Sequence, residues 1–184
     1  RSIAHNGEIN TLKGNINWMK VYEQEMFSSK FECMENLKPV IPDGNSDSAS
    51  LDNVFELLTM SGHSAPLTKL MLIPDAWSKK NKILPTNQLK LFNFLNSTME
   101  PWDGPAAIAG TDNEWVIAAN DRNGLRPLRY TITKDKFLFA GSETGMIKLN
   151  EKKILAKGRL GPGEIIGVRI EKGKLFTNEK IKNY

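Results

Sequence analysis

The sequence has 184 residues, a length that suggests one domain with at most a short appendage. Hydrophobic residues make up 40% and charged residues 25%, which is typical of a soluble globular protein and excludes a disordered tail or a collagen-like fibre. The 25 Lys and Arg residues exceed the 21 Asp and Glu residues, for a net charge of +4. This excess is spread along the chain rather than gathered in one stripe, so we expect no nucleic-acid partner.

The cysteine content and the hydropathy of the sequence bear on metal binding, disulfides and cellular location. The single cysteine, Cys33, cannot form an intramolecular disulfide, and one cysteine with two histidines is too few for the usual Cys/His zinc site. No apolar run approaches the ~20 residues of a membrane helix, and no secretory leader pattern is present. We therefore expect a cytoplasmic protein with no membrane partner. The sequence opens at Arg1 with RSIAHNGEIN, which is typical of the end of a strand, so we also expect a fragment of a longer chain.

The first half of the chain has the periodicity of helices. Apolar residues three or four positions apart predict a first helix over 12–26. A second helix is predicted to begin near 46–48 and to end at Gly62, since glycine favours the left-handed conformation that follows a helix. Pro66 suits the first turn of a third helix over 67–72, and Pro74 prevents its continuation. A fourth helix is predicted over 88–99.

The second half of the chain has the sequence pattern of β-strands. Short apolar runs separated by turn residues predict strands. These strands cover residues 106–111, 115–120, 128–133, 137–140 and 164–170. Because parallel strands need a connection of a dozen or more residues, the short connections predict antiparallel pairing. Helices in one half and strands in the other indicate the α+β class, with helices packed against a sheet.

The tripeptide His5-Asn6-Gly7 follows a short apolar run and admits two interpretations. The Gly7 N–H and the Asn6 side-chain amide could point at one spot and form an oxyanion hole for acyl transfer. Asn-Gly is also the commonest signal of a hairpin turn, and on these three residues alone the plain turn is favoured.

Asp47, in the segment GNSDSAS, stands where the second helix is predicted to begin. Its carboxylate could cap the helix by accepting backbone N–H bonds at the positive end of the helix dipole. It could instead anchor the ammonium group of a ligand. The local sequence does not separate these two roles, and the cap is the more frequent one.

The other polar motifs are given structural roles. Residues 121–127, DRNGLRP, predict a strand–turn–strand connection, with the turn at Asn123-Gly124 and with Asp121, Arg122 and Arg126 in ion pairs. His63 lies beside the end of the second helix, where its imidazolium would suit the dipole, and we assign it no chemistry. Most of the tryptophans are expected in the core; they are Trp18, Trp77, Trp102 and Trp115.

Taken together, seven segments resemble one family. They are HNGEINTLKGNINWMK, PDGNSDSASLDNVFELL, MLIPDAW, MEPWDGPAAIAG, DRNGLRPLRY, GSETG and KGRLGPGE, in that order. The chain is similar to the class II glutamine amidotransferase (glutaminase) domain of glutamate synthase large subunits, from about its first residue to about Glu164. Other class II amidotransferases share the Asn-Gly motif, the acidic helix start and a relative of DRNGLRP.

The resemblance implies a fold and a set of roles. The implied fold is a four-layer αββα sandwich of the N-terminal nucleophile hydrolase kind, of which residues 1–184 would be the C-terminal part. In that family a free N-terminal cysteine attacks the side-chain amide of glutamine, with its own α-amino group as base. Asn6 and Gly7 match the family's oxyanion hole, and Asp47 matches the carboxylate that binds the α-amino group of L-glutamine.

The resemblance also implies what this chain lacks. The nucleophilic cysteine and the family's carboxylate-binding arginine fall outside it, and Cys33 lies in an unmatched loop where we expect an inert thiol. The ammonia is expected to pass to a synthase domain that carries FMN and an iron–sulfur cluster, with a small electron-transfer subunit as a further partner. No cofactor or metal is expected in the chain itself, and the isolated chain is expected to be inactive.

Two alternatives stay open on the sequence. The chain could be part of another class II amidotransferase, such as a glucosamine-6-phosphate or phosphoribosylamine synthase. It could also be a stand-alone, non-catalytic module that binds an amino acid and regulates a partner.

Overall fold

The computed structural model describes residues 2–75 and 85–183. The α-helices of this part are α1 (Leu12–Glu25), α2 (Asp47–Met60), α3 (Ala65–Leu72), α4 (Thr86–Thr98) and α5 (Asn178–Lys182). The strands are β1 (Ile3–Gly7), β2 (Ala106–Thr111), β3 (Trp115–Asn120), β4 (Arg129–Thr133), β5 (Leu138–Gly141), β6 (Ile154–Arg159), β7 (Ile165–Arg169) and β8 (Lys174–Phe176). Short 3₁₀ turns cover Met34–Leu37 and Glu151–Lys153.

The four long helices agree with the periodicity of the sequence. α2 shows why its limits are readable: the Ser46 side chain accepts a bond from the Ala49 N–H at its start. At its end Gly62 adopts a positive φ of 108°, a backbone conformation that favours glycine. The His63 N–H then donates to the Leu58 carbonyl, a bond that closes the last turn.

The larger sheet has five antiparallel strands in the order β1-β2-β3-β7-β8. β1 pairs with β2, about a hundred residues later in the chain, in a register that runs from Ile3 opposite Gly110 to Gly7 opposite Ala106. β1 is therefore an edge strand of this sheet, so one side of its backbone faces away from the sheet. The smaller sheet has three antiparallel strands in the order β5-β4-β6.

The two sheets and the helices form stacked layers. One face of the larger sheet packs against the helices; Phe55 of α2, Ile108 of β2 and Ile117 of β3 share a core there and are almost fully buried. The opposite face packs against the smaller sheet, where Ala118 and Ile166 meet Leu128 and Tyr130. Alternation of side chains along each strand produces these two cores from one sheet.

The α+β class and the stacked antiparallel sheets are confirmed. Residues 121–127 do connect two strands through a turn, in which the Gly124 N–H donates to the Asp121 carbonyl. The expected antiparallel pairing of those two strands is wrong, because β3 pairs with β2 and β7 while β4 belongs to the other sheet. This segment carries the chain between sheets. The prediction that most tryptophans are buried holds for Trp102 and Trp115, whereas Trp18 is 46% exposed on α1; Trp77 lies outside the described residues. No helix in the described ranges is long and apolar enough to cross a membrane.

Candidate functional site

Asn6 and Gly7 are the last two residues of β1, not the centre of a hairpin turn. Asn6 lies opposite Ala107 and Gly7 opposite Ala106 on β2. The hairpin interpretation of Asn-Gly is therefore wrong, since a turn signal cannot outweigh pairing with a distant strand. The Asn6 side chain is exposed, which leaves its amide open to a ligand.

The backbone N–H of Gly7 faces the free edge of β1. The Glu8 N–H donates to the Pro105 carbonyl, and the Thr111 N–H donates to the Ser2 carbonyl. Along an antiparallel pair, backbone N–H groups point alternately toward the partner strand and away from it. The N–H groups of residues 4 and 6 therefore also face β2, and the N–H of Gly7 faces away from β2. The N–H of Ala106, the residue opposite Gly7, likewise points away from β1 and donates to the Asp121 carboxylate. A strand-edge N–H and a neighbouring side-chain amide are thus both available at one end of β1.

Glycine is required at position 7 because the backbone of another segment lies against it. A Cβ at Gly7 would overlap the carbonyl oxygen of Pro105. The same carbonyl accepts the Glu8 N–H at 3.0 Å, so it cannot move away without breaking a bond of the strand pair. The close approach of Pro105 explains why Gly7 follows Asn6.

Helix α2 lies along the free edge of β1 and runs in the opposite direction. Near the start of the strand, the Asp52 carboxylate accepts the N–H groups of Ser2 and Ile3, both at 2.8 Å. Beyond the end of the strand, the Asp47 Oδ2 atom accepts the Ile9 N–H at 3.0 Å. Two residues of chain span at most about 7 Å, so the Gly7 amide nitrogen lies within about 10 Å of the Asp47 Oδ2 atom.

Asp47 is not the cap of α2. The cap is Ser46, and Asp47 is the first helical residue, with its Oδ1 atom 2.7 Å from the Ser48 N–H. Partial burial favours the neutral acid, but the N–H bonds from Ile9 and Ser48 outweigh it and hold the pKa of Asp47 below its usual value. With this lowered pKa the Asp47 carboxylate is charged at neutral pH. Its side chain is 23% exposed, so it is open to solvent on one side.

His5 is a site residue that the sequence did not reveal. Its imidazole is 1% exposed, with the Nε2 atom 2.9 Å from the Ser48 hydroxyl and 3.7 Å from the Asp47 Oδ2 atom. His5 and Asn6 are neighbours on a strand, so their side chains lie on opposite faces of the sheet. The only sequence signal was the position of His5 beside Asn6, because its partners are about forty residues away.

Asp121 supports the same end of β1 from the opposite side of β2. Its Oδ2 atom accepts the Ala106 N–H at 3.1 Å, and its Oδ1 atom accepts the Asn123 N–H at 2.9 Å. Asp121 is fully buried, so the prediction that it belongs to a surface or partly buried ion pair is replaced by a role as acceptor for the backbone. Arg122 does form a predicted ion pair, 3.5 Å from Asp103.

Cys33 lies away from this cluster. It is exposed, and its neighbours Phe31 and Leu37 line a groove with the second half of α2, from Asn53 to Met60. Asn53 is six residues from Asp47, a rise of about 9 Å along the helix. No group of three or more His, Cys, Asp or Glu side chains that could hold a metal ion occurs in residues 2–75 and 85–183.

The family model described as "Glutamine amidotransferases class-II" matches residues 1–184. The chain belongs to the class II glutamine amidotransferases. The chain is 52% identical over 185 residues to the glutamate synthase [NADPH] large chain of Azospirillum brasilense, and the match covers 100% of this chain. It is 42% identical to the corresponding large chain of Bacillus subtilis, with 99% of this chain covered. The amidotransferase chain spans 12% of the length of each of these relatives.

Among solved structures, the glutamine phosphoribosylpyrophosphate amidotransferase from B. subtilis is similar to this amidotransferase chain with a TM-score of 0.49 and 17% identity. The match covers 95% of this chain and 28% of that one.

Proposed function

We propose that this chain is part of the glutaminase domain of a glutamate synthase, in which it binds L-glutamine and stabilises the transition state of amide cleavage. The observation that carries the proposal is the placement of Asn6, Gly7 and Asp47 at one end of β1. Family membership and similarity along the whole chain to glutamate synthase large chains support it.

The proposed roles of Asn6, Gly7 and Asp47 follow from the charges on glutamine and from the direction of the hydrogen-bond donors. Attack on the side-chain amide of glutamine places negative charge on the amide oxygen, and the Gly7 N–H and the Asn6 amide donate to that oxygen. Such donors act because they are oriented before the charge develops. The Asp47 carboxylate, charged at neutral pH, accepts the α-ammonium group of the same glutamine.

The nucleophile belongs elsewhere in the parent protein. Cys33 is exposed and sits beside the far half of α2, so we assign it no part in the attack. In the proposed reaction a thiolate from outside these 184 residues attacks the amide carbon, ammonia leaves, and water hydrolyses the thioester to glutamate. Residues 1–184 then form the C-terminal part of the domain.

The rest of the parent enzyme consumes the ammonia. We propose that a synthase domain, with FMN and an iron–sulfur cluster, joins it to 2-oxoglutarate, and that a small subunit delivers electrons. An iron–sulfur cluster is usually held by four cysteine thiolates, and this chain has one cysteine, so the residues present do not fit that group. We assign Asn6, Gly7 and Asp47 to glutamine and place both redox cofactors in other parts of the enzyme.

The test replaces Asn6 with alanine in the full-length protein and measures glutamate formation from two nitrogen sources. With glutamine, the rate is expected to fall by about two to three powers of ten, the cost of one oxyanion donor. With added ammonia the rate should stay near that of the unchanged enzyme. An equal loss with both sources would show that Asn6 supports the fold. Glutamine binding without any cleavage by the unchanged full-length protein would favour the amino-acid-binding module.

A further inference from the structure

We infer that His5 is a positioning residue for the Asp47 carboxylate and acts through the Ser48 hydroxyl. This inference rests on the proposed function, since it gives Asp47 the α-ammonium group of glutamine as its ligand. Three side chains carry it: a buried imidazole on β1 and two polar groups in the first turn of α2.

The direction of the hydrogen bonds follows from the surroundings of the imidazole. The His5 Nδ1 atom is buried and has no hydrogen-bond partner in the described part of the chain. A proton on Nδ1 would leave a buried N–H unsatisfied, so we assign it to Nε2. The Nε2–H then donates to the Ser48 oxygen at 2.9 Å.

The Ser48 hydroxyl in turn donates a hydrogen bond to the Asp47 carboxylate. With its oxygen accepting from His5, its own hydrogen points to the Asp47 Oδ1 atom at 3.4 Å. Oδ1 also accepts the Ser48 N–H, and Oδ2 accepts the Ile9 N–H at 3.0 Å. Donors thus hold both carboxylate oxygens on the protein side, and the remaining lone pairs face the open side of the residue.

His5 also couples the two halves of the proposed site. It is bonded to the helix that carries Asp47, and it directly precedes Asn6 on the strand that carries the oxyanion donors. Its burial between strand and helix leaves the imidazole little freedom to turn. The spacing between the oxyanion donors and the ammonium anchor is therefore fixed by a rigid contact.

The test uses the full-length protein and two substrates that differ by one group. One substrate is L-glutamine, and the other is 5-amino-5-oxopentanoate, which is glutamine without its α-amino group. Ser48→Ala should raise KM for glutamine about two- to tenfold, the worth of a hydrogen bond, with kcat nearly unchanged. The kcat/KM for the analogue should stay constant, because the analogue has no ammonium for Asp47 to hold.

His5 variants form a matched pair. His5→Leu removes the donor and should show the same glutamine-specific loss, whereas His5→Gln places an amide nitrogen near the position of Nε2 and should restore most of the affinity. Ser48→Ala keeps the experiment decisive if His5→Leu fails to fold, since Ser48 lies at a helix start where alanine is tolerated. Glutamate formation from ammonia serves as the control for folding.

Three results would overturn the inference. Equal losses for both substrates would mean that His5 and Ser48 support the fold. An unchanged KM for glutamine in Ser48→Ala would show that His5 does not position Asp47 through Ser48, and it would leave the proposed function intact. If Asp47→Asn affects both substrates equally, the ammonium anchor fails, and the proposed function fails at this residue together with the inference.

Discussion

Asp47 accepts a hydrogen bond of 3.0 Å from the backbone N–H of Ile9, two residues beyond Gly7. This bond joins the first turn of α2 to the segment that follows β1. It brings a carboxylate close to a strand-edge N–H, although 40 positions separate Gly7 from Asp47 in the sequence. A backbone N–H donor and a charged carboxylate therefore lie on the same edge of the sheet, as the proposed binding of glutamine requires.

The first prediction separates binding by Asp47 from stabilisation of α2. Asp47→Asn removes the charge but keeps one carbonyl oxygen to accept an N–H. In the full-length protein it should lower kcat/KM for glutamine about ten- to a hundredfold, since a hydrogen bond to a charged group contributes about 1.5–3 kcal/mol. Steady-state kinetics with glutamine and with ammonia measure this.

The matched control for that variant is Ser46→Ala. It removes the observed cap of α2 and should cost about 0.5–2 kcal/mol of stability, seen in the melting temperature, with little effect on glutamine kinetics. Normal glutamine kinetics in Asp47→Asn would instead confine Asp47 to a role in the first turn of the helix.

The second prediction concerns Cys33. The thiol is exposed and lies beside residues that contact the far half of α2, so Cys33→Ser should leave glutaminase activity of the full-length protein unchanged. The isolated chain should release no ammonia from glutamine, because an activated nucleophile is lacking. A coupled assay for ammonia measures both. Activity of the isolated chain that disappears in Cys33→Ser would make this cysteine catalytic.

Much of the fold was predictable because its elements carry their own signals. β2 and β3 have the predicted limits, and α2 has a serine cap and a glycine end that depend on adjacent residues only. β6, β8 and α5 were not predicted. β6 has no fully buried residue and is held by its pairing with β4. The other two elements have three and five residues, too few for a period to show.

The residues of the candidate site were named from the sequence, whereas the contacts between them were not predictable. Asn6, Gly7 and Asp47 were candidates on the sequence, and resemblance to a family favoured them over a turn and a cap. The roles of His5 and Ser48 depend on a contact between residues 43 positions apart, which no local pattern contains. The buried position of Asp121 likewise depends on Ala106, which only the pairing of β2 with β3 brings near.

The last prediction uses a buried amine that the proposed reaction does not need. Lys69 of α3 is 1% exposed, and its Nζ atom lies 3.4 Å from the Gly163 carbonyl oxygen. Burial and the nearby Lys182 lower the pKa of Lys69 to about 7, against the opposing attraction of Asp75 and Asp121. The folded chain thus releases a proton near neutral pH that the unfolded chain keeps up to about pH 10.4.

The sign of the pH dependence follows from that difference. Between about pH 7 and 10 the unfolded state binds more protons at Lys69 than the folded state, so Lys69 makes stability rise with pH, by up to about 1.4 kcal/mol per unit. Lys69→Met keeps a side chain of similar length without the titrating group. Urea unfolding of both proteins at pH 7.5 and 9.5 should show the free energy of unfolding of the unchanged chain gaining on that of the variant as the pH rises. A difference that stays constant over this range would mean that Asp75 and Asp121 keep Lys69 protonated in the folded state.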